Sequence, residues 1–278
     1  MKLTLGFSPC PNDCFIFDAL LHDKIDTEGI RFDVVMEDVE ALNKKATNSV
    51  LDVTKLSFHA FAYLTNQYVL LNSGSALGFN CGPLLISKKE LSQSDLNSPN
   101  TRVAIPGKLT TANLLLSIAF PLLNNKKEIL FSEIESTLLQ GNCDAGLIIH
   151  ETRFTYEEKG LLKVVDLGEF WESLIHSPIP LGGIFIRNNF DLKLQKTVDR
   201  IIRRSIEFAF SNPESSAEFI SQNSQEMSRE VCKKHIDLYV NDFSLELGET
   251  GIDAVKLLLN KSVEIGLIKD FNPNFVVQ

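Results

Sequence analysis

The stretch Leu3-Thr4-Leu5-Gly6-Phe7-Ser8-Pro9-Cys10-Pro11-Asn12-Asp13 decides how the chain is built. Leu3, Leu5 and Phe7 recur at every second position, the pattern of a short strand with one face toward a core. Pro9 and Pro11 fix a turn directly after it, and the apolar residues between 15 and 21 read as a helix. The same order returns downstream. Ile30, Phe32, Val34 and Met36 alternate as a second strand, largely buried on one face, and a helix spans about 39–47. Residues 51–56 then read as strand and 58–64 as helix. Strands alternating with helices predict an α/β fold with a parallel-type sheet.

Further along, residues 68–71 form another strand, 72–82 are rich in turn formers, and 83–87 are compact and apolar. The Ser-, Asn- and Pro-containing segment 88–100 reads as a surface connection that leaves a first lobe. A second lobe opens with a strand at 103–105, a loop over 106–111 and a helix over 112–120, and adds strands at 144–149 and 164–167. Near its end Ile179-Pro180-Leu181-Gly182-Gly183-Ile184-Phe185-Ile186-Arg187 resembles Cys81-Gly82-Pro83-Leu84-Leu85-Ile86-Ser87-Lys88. Two such strands are what an inserted lobe requires, one carrying the chain out and one back. The expected organisation is two α/β lobes joined by two crossing strands, with 1–88 plus 187–278 as lobe one and 89–186 as lobe two. The remainder is helical. Leu194, Val198, Ile201, Ile202, Phe208 and Ala209 share one face, and Arg200, Arg203 and Arg204 lie opposite on a solvated one.

The chain has 278 residues, of which 44% are hydrophobic and 23% charged, enough for a sizeable core and long for one domain. Its formal charge of −9 repels phosphate backbones and anionic lipid at long range, so neither nucleic acid nor membrane is an expected partner. Five cysteines, an odd number in a chain that needs no staples, read as thiols in a reducing compartment. The N-terminal residues lack the unbroken apolar stretch of an export signal. A cytoplasmic location is the expectation, and the oligomeric state is left open.

In open α/β sheets ligands gather outside the carboxyl ends of the strands. Four loops meet that description: 8–13, 55–57, 107–111, and His150 with Glu151. A cleft between the lobes would collect them. Each has a plainer reading. Ser8 and Asn12 are suitable helix caps, as are Thr110 and Thr111. Lys55 interrupts an apolar strand end, where an ammonium needs an anionic partner, and a protein carboxylate is as good a candidate as a ligand. Ser57 opens a helix and offers a hydroxyl. His150 follows an apolar strand immediately; an imidazole there suits proton abstraction, although a lone histidine is more often structural. His59 reads as a core residue beside Phe58 and Phe61, and His22, His176 and His235 fall in polar or loop surroundings. Cys10 and Cys14 lack a second pair of ligands, so no metal is expected. The phosphate-loop, dinucleotide and serine-nucleophile motifs are missing.

Gly6-Phe7-Ser8-Pro9-Cys10-Pro11-Asn12-Asp13, Thr54-Lys55-Leu56-Ser57 and Gly146-Leu147-Ile148-Ile149-His150-Glu151 together resemble the 1,4-dihydroxy-6-naphthoate synthase family. Ser73-Gly74-Ser75-Ala76-Leu77-Gly78, Pro180-Leu181-Gly182-Gly183 and Tyr239-Val240-Asn241-Asp242-Phe243-Ser244-Leu245 extend the likeness over nearly the whole chain. The resemblance implies a periplasmic-binding-protein-like fold of type II. It also implies a carbon–carbon lyase that converts cyclic dehypoxanthine futalosine, a small carboxylate, to 1,4-dihydroxy-6-naphthoate in menaquinone biosynthesis without a cofactor. Carried onto matching positions, His150 is the general base, Lys55, Leu56, Ser57, Thr110 and Thr111 contact substrate, and Ser8 and Asn12 complete the pocket. The chain departs from the pattern at Cys14, where threonine is expected, and at His176, where glycine or threonine is expected. The competing readings are a chorismate dehydratase of the same pathway and a solute-binding protein that performs no chemistry.

Overall fold

A computed structural model of the chain describes residues 1–225 and 228–277. β1 (Lys2–Phe7) buries Leu3, Leu5 and Phe7 and leads into α1 (Pro11–Leu21), whose first residue, a proline, occupies a position with no intrahelical N–H to lose. β2 (Arg31–Met36), α2 (Val39–Thr47), β3 (Val53–Ser57), α3 (Phe58–Ala62), β4 (Tyr68–Leu70) and β5 (Ala76–Gly78) follow. A second series comprises β6 (Leu84–Ser87), α4 (Gln93–Leu96), β7 (Val103–Ile105), α5 (Thr111–Ala119), β8 (Lys126–Glu128), α6 (Ile134–Leu139), β9 (Ala145–Ile148), β10 (Leu162–Asp166) and α7 (Leu167–Ile175). The chain returns through β11 (Ile179–Arg187) and continues as α8 (Leu192–Ser211), α9 (Ala217–Asn223), α10 (Arg229–Tyr239), α11 (Asp242–Leu245) and α12 (Gly248–Glu264).

These elements form two compact units, Met1–Gly78 with Pro180–Gln278, and Phe79–Ile179. Both divisions fall earlier than the 88/89 and 186/187 positions read from the sequence. The hydrogen bonding explains the shift: β6 lies between β9 and β10 in the second unit's sheet, and β11 runs beside β3 and β4 in the first.

The first unit's sheet has the order β2-β1-β3-β11-β4, with β5 also on β11. β1 is parallel to β2 and β3, whereas β11 runs antiparallel to β3 and β4 and sets Gly182 opposite Ser57 and Ile184 opposite Lys55. Its core joins Phe7 and Phe17, ring centroids 4.6 Å apart, to Val198, Ile201, Ile202 and Ile206 of α8. β2 departs from the expectation of one largely buried face. It is an edge strand with a single neighbour; Val34 is exposed, and only Phe32 and Met36 pack partly against the core. The arginine face of α8 is paired as well as solvated: Arg200 and Arg204 both reach Glu28, and Arg203 meets Glu207 and Glu246. Their guanidinium groups hold the Glu28 carboxyl down at about 2.

The second unit's sheet has the order β10-β6-β9-β7-β8. β7 is parallel to β8 and β9, and β6 is antiparallel to β9 and β10. Leu84, Ile86, Ala104, Ile134, Leu138 and Ile148 form its core. All five cysteines are buried thiols; burial is the main cause that pushes the Cys81 group up to about 12 and raises Cys14 further. Among the described residues, no helix is long and apolar enough to cross a membrane.

Candidate active site

In the first unit the turn after β1, the first turn of α1 and strand β3 meet around one carboxylate. Asp13 Oδ2 accepts from the Ser8 hydroxyl at 2.8 Å and from the Ser8 backbone N–H at 3.1 Å. Its Oδ1 accepts from Asn12 Nδ2 at 3.0 Å and from Lys55 Nζ at 2.9 Å. Asp13 is 1% and Lys55 6% exposed. The anionic partner that Lys55 needs is thus a protein carboxylate, and a buried pair holds together when further hydrogen bonds fill the remaining lone pairs, as they do here. Ser8 and Asn12, suitable helix caps by sequence, do not cap α1. The cap position is Cys10, which makes no side-chain capping bond, and Ser8 and Asn12 hold Asp13 instead.

Lys55 Nζ also reaches the Gly74 carbonyl at 3.3 Å. Gly74 has φ +94°, and a Cβ there would run into the Ile184 side chain, so this turn requires glycine. Asp199 of α8 supports the same turn, accepting from Ser73 N–H at 3.0 Å and Asn72 Nδ2 at 3.4 Å; burial raises its carboxyl above the ordinary value. The Leu56 side chain is buried in the core. Ser57 N–H donates to Asn43 Oδ1 at 3.0 Å, and Asn43 Nδ2 donates to Ser57 Oγ at 3.2 Å, which leaves the hydroxyl hydrogen of Ser57 to donate. Asn43 was not evident in the sequence because it sits mid-helix in α2, fourteen residues away.

His235 corrects the sequence reading most sharply. It is 1% exposed rather than polar or loop-like, because Cys232, His235 and Tyr239 line the buried face of α10. Its Nε2 lies 2.8 Å from Asn12 Oδ1. His59 is buried on α3, as the apolar neighbours predict. His22 lies 2.9 Å from Asp18 Oδ1 at the end of α1. His176 caps the C-terminus of α7 with φ +56°, a left-handed position that glycine adopts most readily.

In the second unit Thr110 does cap α5. Its Oγ1 accepts from Asn113 N–H at 3.2 Å and donates to the Gly107 carbonyl at 2.9 Å, while Thr111 is the first, buried residue of the helix. Asn113 Nδ2 donates to the Lys108 carbonyl at 2.8 Å, and Asn113 Oδ1 accepts from Lys126 Nζ at 3.1 Å. Lys126 also donates to Ser117 Oγ at 2.6 Å, and burial pushes its ammonium down to about 8.

His150 leaves the buried β9 strand in the left-handed conformation, φ +63°, and opens the short turn His150–Phe154. Its half-buried ring meets Phe131 edge-on, with centroids 5.0 Å apart. The turn is tied on both sides. Thr152 Oγ1 donates to the Ile149 carbonyl at 2.8 Å, and Arg153 donates to the Gly82 carbonyl and to Asp166. A non-glycine residue held at such an angle stores on the order of 1–3 kcal/mol, and strain of this kind clusters at functional positions. A cavity of about 180 Å³ in this unit, lined by Arg153, Tyr156, Lys163 and Asp166 among others, contains none of the candidate site residues read from the sequence.

The sequence model of the menaquinone biosynthesis family matches residues 3–264. The chain belongs to this family. Two curated relatives, both 1,4-dihydroxy-6-naphthoate synthases, bracket it. The Thermus thermophilus protein is 42% identical over 95% of each chain. The Streptomyces coelicolor protein is 37% identical over 98% of this chain and 96% of its own. Among solved structures, protein AF1704 from Archaeoglobus fulgidus superposes with a TM-score of 0.90 at 36% identity, covering 96% of this chain and 98% of that one. The periplasmic aliphatic sulphonate-binding protein SsuA from Escherichia coli gives 0.67 at 10% identity, over 100% and 92%. The second likeness shows the fold alone: the chain has the periplasmic-binding-protein architecture, as the family resemblance implies.

Proposed function

We propose that the protein is a carbon–carbon lyase that converts cyclic dehypoxanthine futalosine to 1,4-dihydroxy-6-naphthoate in the cytoplasm, with His150 as the general base. The observation that carries the reaction is the nearly full-length match to two curated synthases at 42% and 37% identity. For His150 the support is local. The side chain stands at the end of a buried strand, on a strained backbone angle, braced by Phe131 and followed by a turn that hydrogen bonds tie down. An imidazole so fixed can take a proton from the substrate and start carbon–carbon cleavage and aromatisation, a contribution of roughly 10² to 10⁴ in rate.

Ser57, Thr110, Thr111, Ser8 and Asn12 are proposed as substrate contacts, with Lys55 and the main chain of Leu56. The pairing of Lys55 with Asp13 refines this assignment. An ammonium already matched by a carboxylate is a weaker anchor for a substrate anion, so the Ser57 hydroxyl is the stronger donor in the first unit. The reading calls for no cofactor. Purified protein incubated with the cyclic futalosine derivative is expected to release an ultraviolet-absorbing naphthoate. His150→Ala should abolish turnover while substrate binding persists. Turnover by His150→Ala near the wild-type rate removes the base assignment, and chorismate consumption by the wild type would establish the dehydratase instead. The likeness to SsuA favours one second reading, a binding protein without chemistry; tight retention of unreacted ligand by the wild type would select it.

A further inference from the structure

His235 lies 223 residues along the chain from Asn12, yet it ends on the site's own hydrogen-bond network. Asn12 sits between two groups: His235 Nε2 at 2.8 Å from its oxygen, and Asp13 Oδ1 at 3.0 Å from its nitrogen. The orientation of that amide follows from the chemistry around it. The Asp13 carboxylate accepts from Ser8 twice and from the Lys55 ammonium, so the amide atom turned toward it must be the NH₂ donor. The Asn12 oxygen therefore faces the imidazole and must accept, which places a hydrogen on His235 Nε2. The result is a directed series: imidazole N–H to amide oxygen, amide N–H to carboxylate, and ammonium to the same carboxylate. Each member is at least nine-tenths buried, so each bond acts where water competes poorly.

From this geometry we infer that His235 is a positioning residue, which from the buried face of α10 fixes the Asn12 amide and through it the Asp13–Lys55 pair in the binding arrangement. The inference rests on the proposed function, in which Asn12 and Lys55 meet substrate. α10 supplies the imidazole and α1 the amide, and the two helices pack together. Without an N–H at the Nε2 position, the Asn12 amide loses the bond that selects its orientation and is free to rotate against a carboxylate that needs its NH₂.

Two substitutions of similar size and polarity separate positioning from mere packing. Glutamine carries its NH₂ near the place of Nε2, and asparagine near the place of Nδ1. His235→Gln is expected to keep KM within about threefold of wild type, and His235→Asn to raise it about tenfold with kcat changed far less, as suits the loss of one buried hydrogen bond to a binding group. Wild-type KM in His235→Asn, or equal impairment in both variants, overturns the inference while leaving the lyase intact. A wild-type protein without turnover overturns the lyase reading and the inference with it. The ring's ¹⁵N spectrum gives a check that needs neither substrate nor a folded variant: a neutral His235 in wild type should show protonated Nε2 and bare Nδ1. The opposite tautomer would rule out the directed series.

Discussion

The two units hold the loops that carry the candidate site residues by different means. In the first, opposite charges are taken out of water and matched, Lys55 against Asp13, with Ser8, Asn12 and the Gly74 carbonyl filling the remaining directions. In the second, the loop of residues 107–111 is held by neutral caps and one partly buried amine, and the histidine after β9 is held by an unfavourable backbone angle. The contrast teaches a division of labour. A compensated ion pair is stiff, and it is costly to break by halves. A cap and a strained residue can be changed one at a time at small cost to the fold, which would suit the proposed role of His150.

The most direct way to break this contrast is to remove one half of the pair. Lys55→Met should destabilise the protein by about 3–5 kcal/mol in urea unfolding, because Asp13 is left buried and uncompensated, whereas Asp13→Leu with Lys55→Met should recover most of that loss. If Lys55→Met costs no more than an exposed substitution, the pair is not the stiff element. A smaller effect sharpens the second half of the comparison. His150→Gly and His176→Gly each release a left-handed non-glycine angle and should stabilise the fold by about 0.5–1 kcal/mol, yet only His150→Gly should lose turnover. Turnover by His150→Gly at the wild-type rate would show that the imidazole carries no step.

A further effect is in pH. Lys126 titrates at about 8 in the folded protein against 10.5 for an ordinary lysine, so between those values the unfolded chain binds more protons. Stability therefore rises with pH across that window. Denaturation midpoints of wild type and Lys126→Met, followed from pH 7 to 10, should converge or cross as the wild type gains; parallel curves would mean that the amine is solvated.

The opening strand, turn and helix, the strand that leads up to Ser57, and His150 just after an apolar strand were all legible, because each rests on neighbours in sequence whose periodicity or punctuation is local. What escaped reading was pairing across distance. Lys55 announced a need for an anion but not that Asp13, 42 residues earlier, would satisfy it, and nothing near His235 hints at Asn12, 223 residues away. Ser8 and Asn12 have the chemistry of caps, and only the fold shows that a carboxylate claims them first. The edge position of β2 escaped for a related reason: alternation shows which face is apolar, but burial also depends on how many neighbours a strand acquires. Position 176 escaped as well, since nothing in its polar surroundings shows that a helix end there turns left-handed.

The five buried thiols turn the protein into its own stopwatch. Cys10, Cys14 and Cys232 belong to one unit and Cys81 and Cys143 to the other, so an alkylating reagent added to the native enzyme must wait for whichever region opens first. Mass-resolved labelling over time would then rank the local openings of the two halves without any engineered probe, and any treatment that loosens one half should appear as early modification of its own cysteines.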